Sequence, residues 1–218
     1  MKTKFLGLLA VGMLAGPVMA QAATTTLDFN PAIACDSGPC ADGRRISSSY
    51  GDNVWLDFTW ASSASNGGPA DGDALWWSGN YGSLNGVAYG GTGVLRVIVQ
   101  GLGGTLLQSI GFDFAGWPNV DRNVFVAVRS LDLQTIYAST NLVAPGTGFG
   151  STGACCGAFS AFVLDFGPDG FNAGIDNLTI GYLPGQAVPE PGSLALLGLG
   201  LAGLGLSRRR KAQSTRSA

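Results

Sequence analysis

Residues 106–115 read Leu-Leu-Gln-Ser-Ile-Gly-Phe-Asp-Phe-Ala, and their second half alternates between large apolar and small or acidic side chains. In an extended strand, Ile110, Phe112 and Phe114 share one face, and the glycine and aspartate between them share the other. A period of two is typical of a strand with one face on a core and the other in solvent. This stretch therefore predicts a β-fold.

Seven further runs share its richness in β-branched and aromatic residues. They are residues 24–30, 54–60, 94–100, 123–130, 135–140, 158–166 and 174–182. Clusters of Gly, Asn, Asp, Ser and Pro lie between them, as at 65–72, 90–93 and 145–153, and such clusters favour turns. Eight to ten strands at this spacing predict an all-β fold, an antiparallel β-sandwich of jelly-roll type, with an up-and-down barrel as the alternative.

Residues 23–183 carry five arginines against thirteen aspartates, a formal charge of −8, and contain no Lys, His or Glu. These 161 residues are enough to bury a core unaided, so we expect them to form one ectodomain. An acidic exterior repels nucleic acid and anionic membrane surfaces, whereas divalent cations and neutral ligands suit it. We therefore expect no nucleic-acid partner.

Several classes of catalysis are excluded by residue type. The chain has no histidine, which removes Ser-His-Asp and Cys-His triads. The absence of lysine from residues 23–183 removes Schiff-base and Ser-Lys chemistry. Aspartate pairs could still cleave glycosides, but no spacing points to such a pair. We expect no catalytic residues and no enzyme, and an Asp-based glycoside hydrolase is the third candidate function.

The amino terminus has the pattern of a secretory signal peptide. Lys2 and Lys4 precede an apolar segment at 5–15, and small-residue cleavage sites end at Ala20 and Ala22. The apolar segment is short for a membrane span, which disfavours an uncleaved anchor. We therefore expect residues 1–22 to be removed on export.

The carboxyl terminus combines Val188-Pro189-Glu190-Pro191, an apolar run at 192–206 and a basic cluster. The apolar core at 194–206 spans about 20 Å as a helix, which is short for a bilayer core of roughly 30 Å. The cations should stay in the cytoplasm. This predicts a short transmembrane helix within 188–211, after a linker at 184–187 and before a cytoplasmic tail at 212–218. A buried terminal helix and a simple tail anchor are the alternatives.

The order of these features resembles the PEP-CTERM sorting signal of Gram-negative bacteria over residues 188–211. Its parts here are the tripeptide Pro189, Glu190 and Pro191, the Leu/Gly-rich span, and the basic cluster Arg208, Arg209, Arg210 and Lys211. The resemblance implies that exosortase, an inner-membrane protease, recognises the tripeptide and that the protein crosses the inner membrane only transiently. It implies a structural or adhesive protein of the cell surface or of the extracellular polysaccharide (biofilm) matrix.

Short motifs within the ectodomain resemble the sandwich ectodomains that precede this signal. They are Ser49-Tyr50-Gly51-Asp52, Tyr81-Gly82, Ala88-Tyr89, Phe112-Asp113, Gly116-Trp117-Pro118 and Ile175-Asp176-Asn177-Leu178. That resemblance implies no activity.

The cysteines are Cys35, Cys40, Cys155 and Cys156, all in the exported part, where disulfides are permitted. Cα atoms of adjacent residues lie about 3.8 Å apart, closer than the usual disulfide range of roughly 4.4 to 6.8 Å. We therefore predict that Cys35 and Cys40 bridge crosswise to Cys155 and Cys156. One bridge closing so long a loop would add roughly 4 to 5 kcal/mol. Metal binding by the four cysteines is the alternative.

An aromatic stretch supplies the candidate ligand-binding residues Trp76, Trp77, Tyr81 and Tyr89. Flat aromatic faces beside Asn and Asp can stack on a sugar ring and hydrogen-bond its hydroxyls. The second candidate function is therefore a carbohydrate-binding module acting on matrix glycans. Burial of these rings in the core is the alternative interpretation.

Aspartates supply the candidate metal ligands. Asp71 and Asp73 flank a glycine in a loop where carboxylates and carbonyls could surround a structural calcium ion, the only cofactor we consider. A second set could gather at one end of a sandwich, namely Asp28, Asp165, Asp169 and Asp176. The alternative is that these aspartates form turns and solvated edges.

Overall fold

The computed structural model of the protein describes residues 21–30, 34–36 and 38–185. Within these ranges the chain forms strands and loops, with no helix. No described segment is a helix long and apolar enough to cross a membrane. The predicted signal peptide up to residue 20, and the predicted transmembrane helix and basic cluster, lie outside the described residues.

Fourteen strands are described. In chain order they are β1 (Ala23–Leu27), β2 (Ala34–Cys35), β3 (Gly38–Pro39), β4 (Arg44–Arg45), β5 (Leu56–Ser63), β6 (Ala74–Trp77), β7 (Val87–Gly90), β8 (Val94–Gly101), β9 (Leu106–Gly116), β10 (Arg122–Arg129), β11 (Ile136–Ala144), β12 (Gly150–Phe159), β13 (Ala161–Gly167) and β14 (Ala173–Leu183).

Two antiparallel sheets form a sandwich. The seven-stranded sheet has the order β12-β9-β14-β7-β6-β4, with β1 also paired to β14, and the five-stranded sheet has the order β11-β10-β13-β8-β5. From β5 onward, only the β6–β7 and β10–β11 connections join strands of the same sheet. This repeated crossing between sheets is the jelly-roll arrangement, so the predicted antiparallel sandwich is confirmed.

The alternation that predicted β9 places its large side chains in the core. Ile110, Phe112 and Phe114 are buried. Phe112 and Phe114 meet Phe166 of the facing sheet, with ring centroids 5.8 and 6.4 Å apart. The edge-on contact with Phe112 is a geometry that aromatic pairs favour.

The predicted turn cluster at 145–153 is partly a strand. β12 begins at Gly150 and pairs with β9, so that Gly150 lies opposite Phe114. A Cβ on Gly150 would lie 2.5 Å from the Phe114 ring, so glycine permits this close pairing. Composition alone therefore predicted a turn at residues that form a strand through long-range pairing with β9.

The predicted crosswise disulfides are wrong, because Cys35 is bonded to Cys40. The small β2–β3 hairpin brings their Cα atoms to 5.1 Å, within the range that a disulfide spans. The same bond removes Cys35 and Cys40 as thiolate ligands, so the metal alternative fails as well. The backbone of Cys155 and Cys156 belongs to β12, while their side chains lie outside the described part of the chain.

Candidate functional site

Five aromatic side chains come together beside the β6–β7 hairpin and line one cavity of about 50 Å³. We call this cluster the aromatic site. Trp77 ends β6 and Tyr89 lies on β7. The other three are Tyr81 from the loop after β6, Trp117 from the loop after β9, and Phe171 from the loop after β13.

Tyr89 is the centre of the aromatic site. Its ring centroid lies 6.2 Å from Trp77, 6.4 Å from Tyr81 and 5.7 Å from Phe171. Trp117 joins through Trp77, with centroids 6.3 Å apart. Three of these four contacts are edge-to-face, which fixes the relative orientation of the rings.

The five rings differ in exposure. Tyr81 and Tyr89 are buried and form the floor, whereas Trp77 and Trp117 are partly exposed and Phe171 is exposed. The cavity is far smaller than the roughly 300 to 1,000 Å³ of pockets that enclose small ligands. A ligand would therefore lie across the rings rather than sink between them.

Hydrogen bonds hold the three loops in place. The Tyr81 hydroxyl donates to the carbonyl of Phe171 at 3.1 Å, and the Trp117 amide donates to the carbonyl of Asn172 at 2.7 Å. Gly82 has φ of 53°, and a Cβ there would lie 1.9 Å from the Gly148 carbonyl oxygen. Only glycine allows that close approach.

Polar groups surround the rings. Arg122 donates from Nε to the Trp117 carbonyl at 2.8 Å and pairs with Asp169 at 3.6 Å. Asp42 accepts the Ser78 amide at 2.6 Å. The Trp117 indole Nε1 is buried without a hydrogen-bond partner among the described residues, a rare state that calls for an acceptor from water or ligand. The surroundings thus offer both donors and acceptors.

Burial raises the pKa of the Tyr81 phenol, and its tyrosine neighbour at 89 adds to the effect. Burial likewise raises the pKa of Tyr89, with a further contribution from Asp42. Both phenols therefore stay protonated at neutral pH and can act as hydrogen-bond donors.

The structure brings together three of the four aromatic residues proposed from the sequence. Trp76 lies in the core, and its indole Nε1 donates to the Phe29 carbonyl at 2.7 Å. Successive residues of a strand point to opposite faces, so Trp76 points inward and Trp77 outward. Sequence reasoning missed Trp117 and Phe171 as site residues, although each is an aromatic residue within a turn cluster.

The candidate calcium ligands make local contacts. Asp71 accepts the Ala64 amide at 3.1 Å and the Thr92 hydroxyl at 2.8 Å. Asp73 pairs with Arg45 at 3.3 Å. Within the described ranges, no three or more His, Cys, Asp or Glu side chains are grouped to hold a metal ion. Calcium binding at Asp71 and Asp73 stays a prediction that a chelator-dependent thermal shift would test.

The second set of aspartates divides between sites. Asp165 and Asp169 pair with separate arginines. Asp28 lies near Asp176, whose pKa is raised by burial and, to a smaller extent, by the charges of Asp28 and Asp113. The Asp176 carboxylate accepts the backbone amides of residues 29 and 177 at 3.0 and 2.7 Å, which opposes that rise.

Residues 187–211 match the PEP-CTERM protein-sorting motif. The chain carries a PEP-CTERM sorting signal. The resemblance carried by Pro189, Glu190, Pro191 and the basic cluster is thereby confirmed, and the signal implies export. No curated protein matches the chain.

Three solved structures are similar to this chain in fold. The CBM35 from Cellvibrio japonicus Abf62 is 6% identical, with TM-score 0.32 over 75% of this chain and 95% of that one. The Podospora anserina GH26-CBM35 beta-(1,4)-mannanase is 14% identical, with TM-score 0.30 over 63% of this chain and 29% of that one. The arabinose-bound MgGH51 a-L-arabinofuranosidase is 11% identical, with TM-score 0.31 over 73% of this chain and 31% of that one. Likeness at this level says nothing about the ligand of this chain.

Proposed function

We propose that the protein is an exported, non-catalytic surface protein of adhesive type that contacts neutral glycans of the extracellular matrix through the aromatic site. The observation that carries the proposal is the arrangement of Trp77, Trp117 and Phe171 as accessible rings around a buried tyrosine floor. Aromatic faces of this kind stack on the apolar C–H face of a sugar.

The shape and the charge of the ectodomain support the choice of ligand. A shallow cavity of about 50 Å³ suits a polymer that lies across the surface. The formal charge of −8 over residues 23–183 disfavours an acidic polysaccharide. Donors and acceptors near the rings, including Asp42 and Arg122, match sugar hydroxyls.

The binding test uses the exported protein recovered from the cell surface and a panel of immobilised neutral polysaccharides. Phe171→Ala is compared with Phe149→Ala, since the two phenylalanines are 50% and 52% exposed and only Phe171 belongs to the aromatic site. Loss of one stacking contact worth about 0.5 to 1.5 kcal/mol lowers affinity roughly two- to tenfold. We expect that loss for Phe171→Ala and none for Phe149→Ala.

Trp117→Ala extends the same test to the other side of the cluster. We expect it to weaken binding at least as much as Phe171→Ala, because an indole offers a larger stacking face. Absence of binding to every glycan, or equal losses in the Phe149→Ala control, would contradict glycan recognition at the aromatic site. The export proposal would be unaffected.

Export and processing are tested separately by the intact mass of the protein at the cell surface. Exosortase-type processing predicts a product that starts after residue 20 or 22 and ends near residues 189–192. A product that retains the basic cluster of Arg208, Arg209, Arg210 and Lys211 would instead mean a simple membrane anchor.

Glycoside hydrolysis is the third candidate function, favoured by the electrostatic interaction of Asp28 with Asp176 and by the burial that raises the pKa of Asp176. Two neighbouring carboxyl groups can serve as the acid and the base of glycoside cleavage. Release of reducing sugar that Asp176→Asn abolishes would establish this activity.

A further inference from the structure

The orders of the two sheets end in β4 and β12 in the larger sheet and in β5 and β11 in the smaller, and β1, which pairs only with β14, is a fifth edge strand. A terminal strand exposes a row of backbone donors and acceptors that can pair with another chain. Proteins usually prevent such pairing by making edge strands short, charged or covered.

Three of these strands carry such protection. β1 is short, with five residues, about half the length of β11 or β12. β4 consists of only Arg44 and Arg45. β5 carries Asp57, and its outer edge is partly covered because the Ser62 amide donates to the Gly72 carbonyl at 2.8 Å and the Gly72 amide returns a bond at 3.3 Å.

The other two strands, β11 and β12, lack this protection. They have nine and ten residues and fall within residues 133–164, a stretch of 32 residues without one charged side chain. All the aspartates and arginines of residues 23–183 lie outside that stretch. The longest charge-free stretch of the ectodomain therefore contains one pair of sheet edges.

β11 is the better suited of the two to pair with another strand. It contains neither glycine nor proline, and from Ala138 to Ala144 it stays in continuous register with β10. Three of its apolar side chains are exposed, Ile136, Tyr137 and Val143. β12, in contrast, contains glycines at 150, 153 and 157 and has a register shift near its end.

We propose that β11 pairs antiparallel with β11 of a second copy of the protein, joining two five-stranded sheets into one sheet of ten strands. Two copies with formal charges of −8 repel each other, so the charge-free edge is where they can approach most closely. An antiparallel pair of identical strands also satisfies twofold symmetry, in which both copies use the same surface.

Such a dimer presents two aromatic sites at once. If the aromatic site binds glycans as proposed above, two linked sites increase the apparent affinity for a polymer through effective concentration. The pairing itself does not depend on glycan binding, so each proposal can fail alone.

Sedimentation velocity of the exported protein, over a range of protein and salt concentrations, tests the dimer. We expect reversible dimers that tighten as NaCl rises from about 0.05 to 0.5 M, because salt screens the repulsion between acidic copies. A wild-type protein that stays monomeric throughout would overturn the proposal.

Matched lysine variants test the edge. Asn141→Lys/Val143→Lys places two charges on exposed positions of β11, and we expect it to weaken dimerisation at least tenfold. Val54→Lys/Leu102→Lys adds the same charge at exposed positions beside β5, the opposite edge of that sheet, and we expect it to dimerise as well as wild type. Equal behaviour of the two variants would contradict pairing through β11.

Amide hydrogen exchange on the wild-type protein tests pairing through β11 without the use of a variant. Raising the protein concentration should slow exchange in Ile136–Ala144 and leave Leu56–Ser63, the opposite edge of the same sheet, unchanged. Dimers that form without added protection of β11 would place the interface elsewhere and refute the proposal.

Discussion

Arg96 donates two hydrogen bonds to the carboxylate of Asp165, from Nε to Oδ1 at 2.7 Å and from Nη2 to Oδ2 at 2.8 Å. Both side chains are buried on the outer side of the five-stranded sheet. The loop after β5 covers them, because the Gly67 amide donates to Asp165 and the Gly68 carbonyl accepts from Arg96. This ion pair therefore fastens the β5–β6 loop to the sheet.

Arg96→Met should lower the free energy of unfolding by about 3 to 5 kcal/mol, because it leaves the buried Asp165 carboxylate with the more distant Arg129 as its remaining cation. Arg45→Met is the control, since the ion pairs of Arg45 with Asp36 and Asp73 are exposed and worth about 0 to 1 kcal/mol. Denaturant unfolding measures both. Similar losses for the two variants would contradict a structural role for the buried pair.

The disulfide between Cys35 and Cys40 closes a loop with a sequence separation of only 5. The chain-entropy relation gives roughly 2 kcal/mol for so short a loop, about half the value expected for a bridge to residue 155. The variant Cys35→Ser/Cys40→Ser should therefore unfold about 2 kcal/mol more easily. Non-reducing peptide mapping should recover Cys35 linked to Cys40, and a link to Cys155 or Cys156 would refute the assignment.

The neighbours Trp76 and Trp77 should respond differently to replacement by phenylalanine. Trp76→Phe leaves the Phe29 carbonyl without its donor, at a cost of about 1 to 3 kcal/mol in unfolding free energy. Trp77→Phe should change stability less and weaken glycan binding more, because Trp77 borders the cavity of the aromatic site. Thermal unfolding and polysaccharide binding measured side by side distinguish the two roles, and the reverse pattern would contradict them.

Alkaline pH should destabilise the fold through Tyr50. Burial raises the pKa of Tyr50 from 10.0 to about 12, with smaller contributions from Asp28 and Asp176. The unfolded chain ionises first, so the stabilising contribution is complete below pH 10 and declines as pH rises from about 10 to 12. Tyr50→Phe should make that decline shallower in a pH series of denaturant unfolding.

Tyr50→Phe should also lower the stability of the fold at neutral pH. The Tyr50 hydroxyl donates to the Asp28 carbonyl at 2.6 Å, so its removal should lower stability by about 1 kcal/mol at pH 7. Tyr81 and Tyr89 also have raised pKa values, so some alkaline sensitivity should persist. An unchanged slope between pH 10 and 12 would exclude Tyr50 as a contributor.

Much of the sandwich could be predicted because local sequence patterns identify many of its strands. The alternation of Ile110, Phe112 and Phe114 identifies the core face of β9 without knowledge of any other strand. The glycine-rich start of β12 was not predicted as a strand, because glycines are typical of turns. It becomes a strand only through its pairing with β9. Strand propensity depends on such neighbours more than helix propensity does.

The aromatic site was predictable in part for the same reason. Trp77, Tyr81 and Tyr89 are close in sequence, so one stretch suggested them together. Trp117 and Phe171 come from loops far along the chain, and no local pattern connects them to that stretch.

The sequence by itself determined that the chain is built from β-strands and carries a PEP-CTERM sorting signal, because strand periodicity and the signal are properties of contiguous residues. Tertiary structure alone decided that Cys35 joins Cys40, that Trp76 is buried while Trp77 is not, and that Phe171 meets Tyr89. Those outcomes depend on which distant strands pair, since pairing sets both the distances between side chains and the face from which solvent is excluded.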